Sequence, residues 1–161
     1  MQVMKETGKA INDTFHKNVA LISGVSGSCA TGVVTLPIPA GAEFDYVISA
    51  EDMRMGARFA NYSIEYQAVG SSSWQTLVPA CPPAGCGAPS PDEVGASDRP
   101  DGHDPRDSHI GHKRIDKRVV RTSGAGAVKI QAVRLNCLEA FAEPVHVRQF
   151  SLHKKTVPWE Q

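Results

Sequence analysis

The segment "EFDYVISAEDMRMGARFANYSIEYQ", residues 43–67, decides the fold. It holds two runs with a period of two. In "EFDYVIS", Phe44, Tyr46 and Ile48 fall on one face. In "ANYSIEYQ", Tyr62, Ile64 and Tyr66 oppose Asn61, Ser63 and Glu65. Successive side chains of a strand point to opposite faces, so each run buries one face and wets the other. That is the pattern of antiparallel strands with one solvated side.

The same period continues outward. "SWQTLV", "VKIQAVRLNCLE" and "VHVRQFSLH" are further strands, separated by clusters of Gly, Pro and Ser. Seven or eight short strands imply an all-β fold, an antiparallel β-sandwich or jelly roll. A helical period occurs at the N-terminus. Val3, Thr7, Ala10, Ile11 and Phe15 share one side, while Lys5, Glu6, Lys9 and Asp13 lie largely elsewhere. This predicts a helix over 3–16, ended near Asn18. The organisation is therefore an N-terminal helix and linker over 1–18 and a β-sandwich domain over 19–157. Residues 79–108 break the pattern with Pro, Gly, Ser and Asp and no large apolar residue beyond Val94. They read as a long surface insertion between two paired strands.

The 161 residues suffice for one domain, and 17 basic residues balance 17 acidic ones. A neutral chain has no global attraction for polyanions, so no nucleic-acid partner is expected. The basic stretch "HIGHKRIDKRVVR", 109–121, must act locally. As a strand it places Lys113, Lys117 and Arg121 beside Ile115 and Val119, and Arg114 and Arg118 beside Asp116 and Val120. Neither face is cleanly basic. No apolar run reaches membrane-spanning length, so no membrane partner is expected. The start "MQVMKETGKA" has no apolar core and is not a signal peptide; Met1 reads as an artificial or internal start. Asn12 and Asn61 begin glycosylation sequons.

Four cysteines, Cys29, Cys81, Cys86 and Cys137, permit two disulfides in three connectivities. Cys81 and Cys86 enclose the turn-forming "PPAG" and are the candidates for a small ring. Zinc is the alternative for this pair, but the second pair of ligands has the wrong spacing. "DGHDPRDSHIGH" gathers Asp101, His103, Asp104, Asp107, His109 and His112 without an EF-hand or zinc-protease spacing, so neither a metal nor any other cofactor is expected. "GVSGSCATG", 24–32, resembles a nucleophile elbow only superficially and lacks the strand-turn-helix setting. Glu43 with Asp45, and Glu51 with Asp52, lack a cleft to tune them for glycoside chemistry. No catalytic residue is expected. A sugar site instead needs an aromatic ring with planar polar partners such as Arg, Asn or His. Trp74, His112 and Arg114 meet that need if strands 73–78 and 110–120 pair across the insertion; core packing is the alternative role for Trp74.

Three stretches resemble the C-terminal part of the α-L-fucosidase family. "MKETGKAINDTFHKNVA" looks like the helix and link that leave its catalytic barrel. "FDYVISAEDMRMGARFANYSIEYQAVGSSSWQTL" is similar to its "F-D-x-V-x-x-x-E-x-I-x-x-G-Q-R-V" strand pair, with Phe44, Asp45, Val47, Glu51, Asp52, Gly56, Arg58 and Trp74 matching and Ala57 in place of Gln. "IGHKRID" and "AVRLNCLEAFAEPVHVRQFSLH" look like its closing strands through Gly111, Lys113, Arg114, Ile115, Arg134, Pro144 and Phe150, with His112 where tyrosine is common. The resemblance implies a galactose-binding-like (discoidin-type) sandwich. It also implies that hydrolysis belongs to an upstream barrel with a carboxylate nucleophile, so this chain does not hydrolyse glycosides alone. Its expected partners are carbohydrate or a catalytic domain of the same parent protein, in a secreted or lysosomal-like setting. The alternative is a protein- or acidic-glycan-interaction module acting through 109–121.

Overall fold

The computed structural model describes residues 17–80, 110–124 and 126–155, together with Glu6 and Lys9. Among these are eight strands: β1 (Asn18–Gly27), β2 (Val34–Pro37), β3 (Phe44–Glu51), β4 (Phe59–Ala68), β5 (Trp74–Val78), β6 (Arg114–Val120), β7 (Ile130–Ala140) and β8 (Val145–His153). They form two four-stranded antiparallel sheets, ordered β1-β8-β3-β6 and β2-β7-β4-β5. The fold is an all-β sandwich, as the period-two pattern implies. A short 3-10 turn, Met53–Met55, joins β3 to β4. The helix expected over 3–16 lies outside the described residues except at Glu6 and Lys9, which are both helical and exposed.

The core sits between the sheets. Phe44, Val47, Val145, Val147, Phe150 and Leu152 point inward from the first sheet, and Val34, Leu36, Phe59, Tyr62, Ile64, Val133 and Leu135 from the second. Fully burying each such aliphatic or Phe side chain stabilises the fold by roughly 1.5–3 kcal/mol. One expectation is corrected. Phe44 does not share a face with Tyr46 and Ile48: Phe44 and Val47 both belong to the core, and the β3–β6 register is irregular between Phe44 and Tyr46. A bulge of this kind disrupts the ladder locally and bends the strand, so the simple alternation does not carry through it. Phe44 and Val47 therefore enter the core, and Tyr46 and Ile48 turn to the outer face.

Every odd-numbered strand finishes, and every even-numbered strand begins, at one end of the sandwich. Glu51 knits that end together. Its side chain is 1% exposed. Oε2 accepts from the backbone N–H of Arg58 (2.6 Å) and Phe59 (3.2 Å), and Oε1 from that of Gly111 (2.9 Å). The Glu51 N–H in turn donates to the Gly111 carbonyl at 2.9 Å. Gly111 has φ +61°, a conformation glycine adopts without a side-chain penalty. The Arg58 guanidinium donates to the carbonyls of Met55, Glu143 and Pro144. Nearby, the Glu143 carboxylate accepts the Cys29 N–H at 2.8 Å, and Cys29 is joined to Cys137 by a disulfide. Cys81 and Cys86 lie outside the described residues.

The opposite end is tied by two more carboxylates. Glu43 accepts from Lys154 Nζ (2.8 Å) and from the N–H (3.0 Å) and hydroxyl (3.1 Å) of Thr122. The Lys154 bond, then the Thr122 N–H, hold its carboxyl at a pKa of about 2. Asp45 pairs with Arg121 and accepts the Lys155 N–H at 2.8 Å.

The insertion does not join paired strands. β5 pairs with β4, and β6 pairs with β3. Both are edge strands of opposite sheets. Proximity in sequence sets that two strands are near each other but not that they share a ladder. Their link across the edge is the Arg118 Nε–H, which donates to the Leu77 carbonyl at 2.8 Å.

Candidate binding surface

Trp74, His112 and Arg114 do not come together. Trp74 opens β5 opposite Gln67, close to the far end of β4, and lies on the outer face of the second sheet. Arg114 opens β6 beside Ser49, at the Glu51 end. It lies on the inner side of the first sheet, 3.6 Å from Asp116 and within electrostatic reach of Tyr62. Burial pushes the Tyr62 hydroxyl up, the Asp116 carboxylate pushes the same way, and Arg114 opposes both. His112 is exposed, and its carbonyl accepts from Arg148 at 3.2 Å. The geometric reason is the sheet assignment of β5 and β6: their side chains face different surfaces.

Trp74 has another partner. The Arg134 guanidinium lies over its ring, 4.3 Å from the centroid. Arg134 sits on β7, opposite Glu65 of β4 and Thr35 of β2. Its Nη2 is 2.6 Å from Glu65 Oε2, and its Nε donates to the same oxygen at 2.7 Å. Two residues on, the Asn136 side-chain amide donates to the Ser63 hydroxyl at 3.3 Å. Ser63, Glu65 and Gln67 from β4, and Arg134 and Asn136 from β7, thus make one polar outer face. Trp74 flanks that face, with one side of its indole occupied by a cation. A shallow cavity of about 200 Å³ opens beside β2, lined by Thr31, Gly32, Val33, Val34, Thr35, Arg134, Leu135 and Asn136. Arg134 is the hinge of the arrangement, touching both the cavity and the indole. The sequence holds a signal for it: "VRLN" alternates, and its Arg and Asn complement the Glu and Ser of "YSIEY". Charge matching between those strands would have found Arg134, Asn136 and Glu65.

The remaining motifs have structural settings. In the basic stretch, Arg118 donates to the carbonyls of Leu77 and Lys117, and Arg121 to those of Phe44 and Val120 as well as to Asp45. Ile115 and Val119 are exposed and Val120 is buried, as the alternation implies. "GVSGSCATG" runs along strand β1 into a turn. A Cβ on Gly27 would stand 2.8 Å from the Gly32 carbonyl oxygen, which reserves that position for glycine. Ser26 Oγ lies 2.7 Å from His146 Nδ1 as an exposed cross-strand pair. Among the described residues no group of three or more His, Cys, Asp or Glu is placed to hold a metal ion, and Asp101 to His109 fall outside them. Among the described residues no helix is long and apolar enough to cross a membrane.

A two-sheet sandwich with one polar outer face is the class of domain defined by this geometry. No family model matches the chain, and no curated protein matches it. Solved structures do. The chain is similar to a protein described as a "putative alpha-L-fucosidase" from Bacteroides thetaiotaomicron, at 26% identity and a TM-score of 0.61, over 96% of this chain and 26% of that one. It is also similar to a glycoside hydrolase 29 family member from an unknown rumen bacterium, at 18% identity and a TM-score of 0.57, over 95% and 22%. A glycoside hydrolase 29 fucosidase from Ruminococcus gnavus, solved with fucose, shares 19% identity with a TM-score of 0.51, over 94% and 29%. The chain thus spans about a quarter of the length of these structures.

Proposed function

We propose that the chain is a non-catalytic β-sandwich module of an α-L-fucosidase-like glycoside hydrolase, packing against a catalytic domain of its parent protein, binding carbohydrate, or both. The observation that carries this reading is the structural likeness to fucosidases over nearly all of this chain and only about a quarter of theirs. The Glu51 clasp supports it. Glu51, Arg58, Gly111 and Pro144, four of the residues in the family resemblance, meet at one end of the sandwich, where they hold strands. The Cys29–Cys137 disulfide favours an oxidising setting, consistent with a secreted or lysosomal-like parent.

In this reading, carbohydrate meets the outer face of the second sheet. The hydroxyls of Thr31 and Thr35, the Arg134 guanidinium and the Asn136 amide are the donor and acceptor types that sugars meet. The cavity is smaller than the roughly 300 Å³ at which small-molecule pockets begin, so the face offers a shallow contact rather than an enclosing pocket. Trp74, on β5, stands at the opposite edge of the sheet from the cavity beside β2, so it is a second contact for a longer glycan laid across the face. His112 is exposed elsewhere, and Arg114 lies on the inner side of the first sheet.

Calorimetric titration with fucose, galactose and their oligosaccharides tests the binding half. Saturable heat that Arg134→Ala abolishes supports it. A flat response at millimolar sugar leaves only the packing role. The packing half is tested by reading the gene upstream of Met1 for a barrel of roughly 300 residues; its absence removes the fucosidase link.

A further inference from the structure

The loop between β1 and β2 carries one wall of the cavity beside β2. Thr31, Gly32 and Val33 come from that loop, and Arg134, Leu135 and Asn136 come from β7. The loop crosses between the sheets: β1 leaves its ladder with β8 at Gly27, and β2 joins β7 at Val34. Its tip bends back on itself. Ser28 bridges to Gly32, the Thr31 N–H donates to Ser28 Oγ at 3.2 Å, and the Ser28 and Thr31 hydroxyls lie 3.0 Å apart. These bonds shape the tip without fixing where it stands. Val33 is in the core and pins the far end, while Ala30, Thr31 and Gly32 are exposed.

The near end is fastened at Cys29. Its N–H donates to the Glu143 carboxylate at 2.8 Å, and its sulfur is bonded to Cys137. That bond ties the two walls of the cavity. Cys29 stands just before Ala30 and Thr31, and Cys137 directly follows Asn136. Consecutive residues of a strand face opposite ways, so Asn136 points to the outer face while Cys137 points into the core. The disulfide thus clamps the loop wall against β7 from behind. Neither sheet needs it for its ladders. β7 lies between β2 and β4, and β1 pairs with β8 from Asn18 to Gly27.

We infer that the Cys29–Cys137 disulfide is a redox control on the candidate sugar surface: oxidised, it holds Thr31 and Gly32 against Arg134 and Asn136, and reduced, it releases them while both sheets stay folded. Cys29 is only half-buried and leads into exposed residues, so a small thiol reaches the bond from the loop side. Its thiolate attacks the Cys29 sulfur. The S–S bond breaks, and its electron pair leaves on Cys137, which takes up a proton. A second thiolate attacks the mixed disulfide, releasing a small-molecule disulfide and Cys29, which is protonated in turn. Two thiol groups thus supply both electrons and both protons. For its ligand this inference rests on the carbohydrate reading above; for the wall it stands on the loop geometry.

The test compares the oxidised full chain with the same chain treated with dithiothreitol. Both carry Cys81→Ser and Cys86→Ser, so that one disulfide responds. Amide order parameters of Ala30, Thr31 and Gly32 should fall on reduction from about 0.85, the value of a rigid backbone, to below about 0.6. Amide resonances of β3, β4 and β8 should keep their positions. The dissociation constant for fucose should rise about tenfold or more. Unchanged order parameters overturn the inference. Loss of native resonances through both sheets also overturns it, since the bond is then a staple of the whole domain. So does a reduced protein that binds fucose as tightly as the oxidised one. A flat fucose titration of the oxidised protein overturns the carbohydrate reading alone, because the order parameters decide the wall without sugar.

Discussion

Glu51→Ala is expected to cost about 4 kcal/mol of stability. The carboxylate is 1% exposed and accepts three backbone N–H groups, at 2.6, 2.9 and 3.2 Å. A net hydrogen bond to a charged group is worth roughly 1.5–3 kcal/mol, and a buried donor left without an acceptor costs a similar amount. Two of the three donors share Oε2, and the Phe59 bond is long, so the low end of the sum applies. Glu51→Gln keeps the volume but offers one carbonyl oxygen and one amide. The amide meets a donor, so one side of the clasp is lost, at a cost of about 2 kcal/mol. Urea unfolding of the oxidised protein reads both values as a lowered midpoint with an unchanged slope. The domain as a whole is held by roughly 5–15 kcal/mol, so the alanine variant should sit near the edge of folding at 37 °C. An alanine variant within 1 kcal/mol of the parent, with altered sugar binding instead, would refute the clasp and make Glu51 a ligand contact.

Other outcomes follow from the same geometry. Reducing Cys29–Cys137, which closes a loop with a sequence separation of 108, should lower stability by about 4 kcal/mol; equal midpoints with and without reductant would contradict this. Glu43 has a folded pKa of about 2 against an ordinary 4.5, so its contribution is present above pH 4.5 and is lost as pH falls toward 2. The stability gap between the parent and Glu43→Gln should therefore narrow across that window, and a gap independent of pH would exclude the Lys154–Thr122 cradle. Arg134→Ala removes a half-exposed ion pair and the contact over Trp74, for about 1 kcal/mol together. In a Trp159→Phe background it should change the Trp74 emission; an unchanged spectrum would mean that the stacked arrangement is not held in solution.

The strand pattern was legible because burial imposes it. Tyr62 and Ile64 point into the core as their alternation implies, and Ile115 and Val119 face outward for the same reason. Alternation misleads where the β3–β6 ladder is irregular. The irregularity after Phe44 carries no compositional mark, and the polar Asp45 and Ser49 are buried along with Phe44, Val47 and Ile48. The site was less legible than the fold. Trp74 reads as a sugar-stacking ring beside His112 and Arg114 or as a core residue, whereas the structure sets it under the Arg134 guanidinium of β7, 60 residues on. Sequence order brings β5 and β6 together, whereas hydrogen-bonded order puts them in different sheets. The Cys29–Cys137 bond was one of several open pairings, because the contact that selects it is between a loop and the last part of β7.

The placement of β5 and β6 has a consequence for engineering. The chain leaves one sheet at Val78 and returns to the other at Gly111, whose N–H and carbonyl are both fastened to Glu51. Both anchor points are held by contacts that do not depend on the length between them. In general, doubling the length of a loop adds only about 0.6 kcal/mol of closure entropy. The span between Val78 and Gly111 is thus a graft site: a tag, a reporter or a second folded domain could be spliced there while both sheets keep their register.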